Sequence, residues 1–456
     1  MKNILIIGAG KSSAYLIKYL LEKSDAENLH LIIADILTNN ANNLINNHKN
    51  AESVILDVFN ADDRQKYIKK SDIVISMLPA RFHIEVAKDC ITYHKHMVTA
   101  SYVSKEMKAL DKAAKQKGLI LMNEIGVDPG IDHMSAMQVI DRIRDYDAKI
   151  LLFESFTGGL IAPESDDNLW NYKFTWNPRN VVLAGQGGAA MFIQEGTYKY
   201  IPYHKLFRRT EFLNINGSGK FEAYANRDSL KYRSVYGLDD IPTMYRGTIR
   251  KVGFSRAWNI FVQLGMTDDS YTIENSSTMS YRDFVNLFLA YAPFDSVELK
   301  LRSYLKIDQD DVMWEKLIEL DIFSDIKKIG IKDATPAQAL QKILEDSWTL
   351  QENDKDMIVM QHLFGYEING EKRQIESSLV VIGENQTYTA MAKTVGLPVG
   401  IAALRILKGD IKTPGVQIPI SKEVYEPILK ELAEYGIAFK ERKVPYLGYN
   451  PQSVIG

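Results

Sequence analysis

The chain has 456 residues, 46% of them hydrophobic and 25% charged, with a formal charge of −3 and a single cysteine, Cys90. That length exceeds one ordinary domain and points to two or three, while the absence of a net basic field excludes a general attraction to nucleic-acid backbones. One cysteine excludes an intrachain disulfide, and eight histidines without HExxH spacing leave no zinc signature, so no metal is expected.

The opening "MKNILIIGAG" is too short an apolar run for a secretory leader, and the sequence shows no run of the roughly 18 apolar residues a bilayer span needs. A cytoplasmic protein without a membrane partner is expected. Short apolar runs then recur at "NILIIGA", "LHLIIAD", "SVILDV", "DIVISMLP", "HMVTA" and "LILMNE", separated by polar stretches long enough for helices. This alternation predicts βαβ units and a doubly wound parallel sheet covered on both faces.

After the first run, "IIGAGKSS" places Gly8 and Gly10 between a strand and a helix. Gly8 suits the tight turn and Gly10 the close approach of a pyrophosphate to backbone N–H groups, with the small Ser13 in the third fingerprint position. The tempting "GKSS" is no Walker A loop, because that pattern needs a glycine where Leu5 stands. Asp35 ends the second run and can accept from ribose hydroxyls, which favours NAD over NADP, with NADP as the alternative. Asp57, after the third run, has a related adenosine-side role or merely forms a turn.

Ligands of open α/β sheets bind beyond the carboxyl ends of the strands. Three loops fall there: "SMLPARFH", "TASYVS" and "NEIGVDPGIDHM". The last packs two glycines, a proline, three acids and a histidine into a dozen residues. Asp128 and Tyr102 are candidates to face a ligand, against the plainer readings of a turn acid and an interior phenol. Asp132 and His133 read as the start of the following helix.

From Ala148 the texture changes to longer, aromatic-rich strands, "KILLFESFTGG", "VVLAGQGGAAMFI" and "YRGTIRKVGF". "GQGGAA" fits a dinucleotide string but lacks the helix that should follow, and "PESDDN" reads as a solvated acidic loop. Arg227 stands in "ANRDS", and Arg246, Thr248 and Arg250 share one face of a strand. Arginine forks suit a polycarboxylate substrate; the plainer reading is an exposed, solubilising edge. Helical periodicity runs through Ser280–Trp348, Asn369-Gly370 suits a type I′ hairpin turn, and "TAMAKTVGLPVGIAALRIL" is a helix with a small-residue face. The expected domains are residues 1–130, a second domain of 131–279 with 352–389, a helical insertion at 280–351, and a segment of about 390–456 packing back on the first.

"NEIGVDPGIDHM", "ASYVS", "GGLIAPESDDNLWNYKFTW", "NRDS", "RGTIR", "DMIVMQHLFG" and "AMAKTVGLP" together resemble the glutamate-forming saccharopine dehydrogenases, in order and over nearly the whole chain. The resemblance implies an α/β fold with a variant Rossmann doubly wound sheet, a mixed α/β domain for substrate binding and homodimer contact, and a small helical insertion. It implies oxidation of saccharopine, a polycarboxylate amino acid, to glutamate and 2-aminoadipate semialdehyde by a nicotinamide cofactor. It further implies cofactor contacts at Gly10, Lys11, Ser12, Asp35, Asp57, Val58, Ile75, Thr99, Ala100, Val127, Asp128 and Pro129, joining Gly8. Substrate contacts would be Ser101, Tyr102, Asp128, Arg227, Thr248, Ile249 and Arg250, with Asp128 and Tyr102 holding the amine and moving its proton. Two departures stand out: Asp35 replaces the arginine that fungal members carry for the 2′-phosphate, and Thr157 replaces a cysteine common among relatives. Rival readings are a related amine dehydrogenase, such as one acting on carboxynorspermidine, and a dinucleotide sensor without turnover.

Overall fold

The computed structural model describes residues 1–448 and 454–455. Its first six strands are β1 (Lys2–Ile7), β2 (Leu29–Asp35), β3 (Ala51–Ile55), β4 (Ile73–Ser76), β5 (His96–Val98) and β6 (Ile120–Met122). The next eight are β7 (Lys149–Ile161), β8 (Ala190–Gln194), β9 (Thr197–Ile201), β10 (Thr210–Ile215), β11 (Gly219–Ala225), β12 (Thr243–Lys251), β13 (Asp356–Ile368) and β14 (Glu371–Ile382). The chain closes with β15 (Gly415–Gln417), β16 (Lys440–Pro445) and β17 (Val454–Ile455).

Two compact units result, one of Met1–Lys149 with Leu379–Glu441 and one of Ile150–Ser378 with Arg442–Gly456. The first runs on past residue 130 and keeps the helix Ile131–Arg144, ten of whose residues are buried and which follows the Gly126–Gly130 loop directly. The C-terminal segment divides at Glu441, and residues 449–453 and 456 lie outside those described.

The first unit holds a parallel sheet in the order β15-β6-β5-β4-β1-β2-β3. Helices cover both faces, so its strands are the uninterrupted apolar blocks read from the sequence. Cys90 lies in the core of one face with no exposed surface, and burial pushes its thiol pKa up, as befits a small inert hydrophobe. On the other face the helix Ala390–Lys408 lies against the helix Ala14–Ser24. A Cβ on Gly396 would come within 2.7 Å of the Leu16 nitrogen, and one on Gly400 within 2.8 Å of the Tyr19 ring. The small-residue face is therefore the contact that lets two backbones approach. This helix is long and apolar enough to cross a bilayer, yet most of it is buried inside the unit.

The second unit is built on a mixed sheet, β16-β14-β13-β7-β12-β11-β10-β17, with β8 paired to β12 and β9. β13 and β14 form a hairpin whose Asn369 and Gly370 have φ of 54° and 77°, the two positive values a type I′ turn requires. β12 is interior, parallel to β7 and antiparallel to β11. Its side chains are consequently not those of an edge.

Candidate active site

In the first unit the glycine turn is held by its own backbone. Gly8 has φ of 103°, and a Cβ there would lie 2.9 Å from the Met77 carbonyl, so only glycine fits between β1 and β4. Gly10 has an ordinary extended backbone and open space where its Cβ would be, which is the room a pyrophosphate needs above the helix start. Lys11 is exposed and Ser12 half-buried on the short 3₁₀ turn that follows. These features fit a dinucleotide.

Asp35 is placed at this turn, but its carboxylate is already engaged. Oδ2 accepts the Ala9 N–H at 2.7 Å and Oδ1 the Leu37 N–H at 3.2 Å, while the Asn40 amide donates to the Ala9 carbonyl. The acid braces the glycine turn. A carboxylate spent on backbone donors at the end of β2 is no sign of NAD.

Beyond β3, Asp57 forms a turn by accepting the Phe59 N–H at 2.9 Å. Beside it a cavity of about 570 Å³ is lined by Val58, Phe59, Arg81 and Phe82, among others. Phe59 and Phe82 meet edge to face at 4.9 Å, and the Arg81 guanidinium lies 4.6 Å from the Phe82 ring. A pocket of this shape and polarity accommodates a flat heterocycle. Ile75 has no exposed surface and Thr99 almost none.

At the ends of β5 and β6, Ala100 and Ser101 are half-buried and Tyr102 is half exposed. The loop from Gly126 to Gly130 folds on itself: Gly126 N–H donates to the Pro129 carbonyl at 2.8 Å, and the Asp128–Pro129 peptide is cis. A Cβ on Gly130 would collide with the Gly126 backbone. Val127 and Pro129 are buried, and Asp128 is half-buried. Asp132 and His133 do more than begin a helix. Asp132 Oδ1 accepts the Gly130 N–H at 2.6 Å, and His133 Nε2 meets Glu124 Oε2 at 2.9 Å, both pairs buried. Glu124 also accepts the Val103 N–H at 2.9 Å, tying this loop to the one carrying Tyr102.

Sequence reasoning missed His83. It is buried at the start of the helix His83–Thr92, with Nδ1 2.8 Å from Ser76 Oγ and Nε2 2.7 Å from Ser101 Oγ. Burial lowers its pKa to about 4, so the ring is neutral.

In the second unit Arg227 donates through Nη2 to the Ala184 carbonyl at 2.7 Å and to that of Gln186. The "GQGGAA" string thus makes an arginine seat, not a dinucleotide loop. "PESDDN" is likewise only partly solvated, since Asp167 pairs at 2.8 Å with the buried Lys173. Arg246 and Arg250 are each 4% exposed, which overturns the solubilising-edge reading. Thr248 Oγ1 donates to Asn226 at 2.8 Å, and Ile249 is buried against Gly158. Thr157, beside Thr248 in the sheet, has a buried hydroxyl without a hydrogen-bond partner among the described residues.

Arg250 is the unusual group. Its guanidinium lies 5.2, 5.6 and 5.3 Å from the rings of Tyr172, Tyr224 and Phe254. Nη1 donates to the Ile249 carbonyl at 2.9 Å and Nη2 to the Tyr224 hydroxyl at 3.2 Å, while Nε is buried without a partner. Its cross-strand neighbour is Glu222, yet that carboxylate caps the next helix, accepting from Gly253 at 2.9 Å and Ser255 at 2.6 Å. A buried cation is left without a protein carboxylate among the described residues, an arrangement that is costly until an anion arrives.

Comparison with known proteins gives the family. Residues 4–122 match the family model for the saccharopine dehydrogenase NADP binding domain, and residues 126–437 the model for the saccharopine dehydrogenase C-terminal domain. The chain is 33% identical over 463 residues to the NADP(+), L-glutamate-forming saccharopine dehydrogenase of Pyricularia oryzae, covering 97% of this chain and 99% of that one. It is also 33% identical to the mitochondrial alpha-aminoadipic semialdehyde synthase of Rattus norvegicus, spanning 96% of this chain but only 47% of that protein. The apo L-Glu-forming saccharopine dehydrogenase structure from Saccharomyces cerevisiae superposes with a TM-score of 0.87 at 32% identity, covering 97% of this chain and 100% of that one.

Proposed function

The chain belongs to the saccharopine dehydrogenase family, oxidoreductases of lysine metabolism, and we propose that it interconverts saccharopine with L-glutamate and 2-aminoadipate 6-semialdehyde using NADP. The observation that carries the substrate class is Arg250. A guanidinium buried among three aromatic rings, its sheet neighbour diverted to a helix terminus, is a receptor for an anion, and saccharopine has three carboxylates. Arg227 takes a second carboxylate through the edge not committed to the Ala184 and Gln186 carbonyls.

Gly10 and the helix start would hold the pyrophosphate of the dinucleotide, and Val58, Phe59 and Phe82 would hold its adenine. When bound, the dinucleotide supplies a hydride acceptor. NADP is the reading because the relatives and the family model carry it; Lys11 and Arg81 supply positive charge on the same edge of the sheet, and Asp35 is occupied with backbone donors.

The chain's own residues then manage charge and protons. The secondary amine must be neutral before hydride leaves the adjacent carbon, since an ammonium has no lone pair to stabilise the iminium. Asp128, presented by a loop locked through Gly130, Asp132 and the Glu124–His133 pair, holds that amine and takes its proton. Tyr102 assists, and Asp128, once it has passed the amine's proton to solvent, is again a carboxylate able to accept a proton from the water that opens the imine. Fixing the carbon in position contributes more than either group alone.

The test is reduction of NADP by saccharopine, followed at the nicotinamide absorbance band with NAD in parallel. Turnover with NADP preferred is expected. No turnover with either cofactor would return the sensor reading, and turnover of carboxynorspermidine instead would return the rival amine dehydrogenase.

A further inference from the structure

Ser76 at the end of β4, Thr99 and Ser101 after β5, and His83 at a helix start converge from separate segments on one imidazole. Ser76 Oγ lies 2.8 Å from Nδ1; Ser101 Oγ and Thr99 Oγ1 lie 2.7 and 3.3 Å from Nε2. No charged group bonds the ring among the described residues. A neutral imidazole has one donor and one acceptor nitrogen, so the network has two proton arrangements with opposite consequences for Ser101, the half-buried member.

The buried Ser76 hydroxyl selects between them. With no exposed surface and no other hydrogen-bond acceptor among the described residues, its proton must go to Nδ1. Nε2 then carries the ring proton and donates to Ser101 Oγ, with Thr99 Oγ1 as a weaker second acceptor. Thr99 Oγ1 already accepts the Ser101 N–H at 3.3 Å, which is consistent with that role. Ser101 receives a proton from the interior and its own O–H is turned outward. In the opposite tautomer Ser101 would give its proton to the ring and offer only lone pairs, which a carboxylate cannot use.

We propose that His83 is a positioning residue for substrate: through the Nε2–H tautomer set by Ser76, it fixes Ser101 as an outward donor to a substrate carboxylate. This rests on the saccharopine reading, and goes beyond it in assigning a role to two residues that touch no ligand. Burial and the positive end of the helix dipole both keep the ring uncharged, so the donor stays set through the neutral pH range.

Two measurements test it. Nitrogen-15 NMR of the full chain reads the tautomer directly. A protonated Nε2 with bare Nδ1 is expected, and a protonated Nδ1 would overturn the proposal. This readout needs no substrate, so it stands even where saccharopine is not turned over and the functional reading fails. In kinetics, His83→Asn keeps a partner for Ser76 but cannot reach Ser101, and should raise the saccharopine KM roughly tenfold with kcat within about twofold. His83→Gln, whose amide N–H reaches the Nε2 position, should recover most of that loss. The dinucleotide KM should not move in either. Ser76→Ala, a smaller change in the same network, should also raise the saccharopine KM and covers the case in which His83→Asn does not fold. In a Ser101→Ala background the His83→Asn penalty should vanish; a penalty that persisted there would show a merely structural histidine.

Discussion

The candidate sites of the two units are built on opposite principles. In the first unit four side chains around the candidate dinucleotide site have partners inside the protein: Asp35 and Asn40 grip Ala9, Asp132 grips Gly130, and His83 joins three hydroxyls. In the second unit Arg250 is left without a counter-ion among the described residues, while Glu222 is drawn to a helix terminus. A satisfied site recognises shape and tolerates the loss of single contacts. An unsatisfied one recognises charge and should fail when one residue changes.

The largest effect should come from that cation. Arg250→Met fills the aromatic cage with a side chain of similar volume, so stability measured by denaturant should stay level or rise by about 1 kcal/mol. Over the same change kcat/KM for saccharopine should fall roughly a hundredfold or more, since an incoming carboxylate loses its buried partner. Equal losses of stability and activity would break the contrast, because they would make Arg250 structural.

The units should also respond to pH with opposite slopes. His83 has a folded pKa of about 4 against 6.5 in the open chain. Its contribution is therefore complete above pH 6.5 and is lost as pH falls through 4, by roughly 3 kcal/mol at most. Glu211, buried on β10, is pushed up to about 7 from 4.5 by burial, with Glu154 buried nearby and also raised. The fold favours its protonated form, so that contribution is present below pH 4.5 and is lost as pH rises through 7, by a similar amount. Hydrogen exchange resolved by peptide should show the first unit loosening on acidification and the second on approach to neutrality. Glu211→Gln should flatten the second trend alone.

What the sequence made legible was local. The glycine turn, the six apolar strands, the Asn369-Gly370 hairpin and the small-residue helix each depend on residues a few positions apart, so their patterns survive in one dimension. The site chemistry depends on strand order. Arg250 could be read as edge or clamp until β12 was seen to lie between β7 and β11, and nothing in "YRGTIRKVGF" says that Glu222 is its neighbour or that a helix claims that carboxylate. His83 was hidden for the same reason, since its partners come from the ends of two different strands. Asp35 misled because position at the end of β2 does not reveal where a carboxylate points.

Within the first unit, two glycines separate fold from function. Gly8→Ala forces a Cβ against the Met77 carbonyl at positive φ and should cost about 2 kcal/mol or more in unfolding free energy. Gly10→Ala meets only open space, so stability should hold within about 0.5 kcal/mol while dinucleotide affinity, read by fluorescence titration, weakens on the order of tenfold. Were both changes to destabilise alike, the open side of Gly10 would not be the cofactor's.

The smallest effect concerns Asp35, and it decides between a brace and a reader of ribose. Asp35→Ala strands the N–H groups of Ala9 and Leu37 and should cost about 1 kcal/mol. Because the carboxylate is spent on those donors, NAD and NADP should weaken together and their ratio should shift by less than about threefold, well under 1 kcal/mol of discrimination. A carboxylate that held the 2′-hydroxyl would behave otherwise, since its removal would cost NAD alone and relieve repulsion on NADP. Paired titrations of the variant therefore report which partner the acid has in the complex, and a selective collapse of NAD binding would restore the role first read from its place in the sequence.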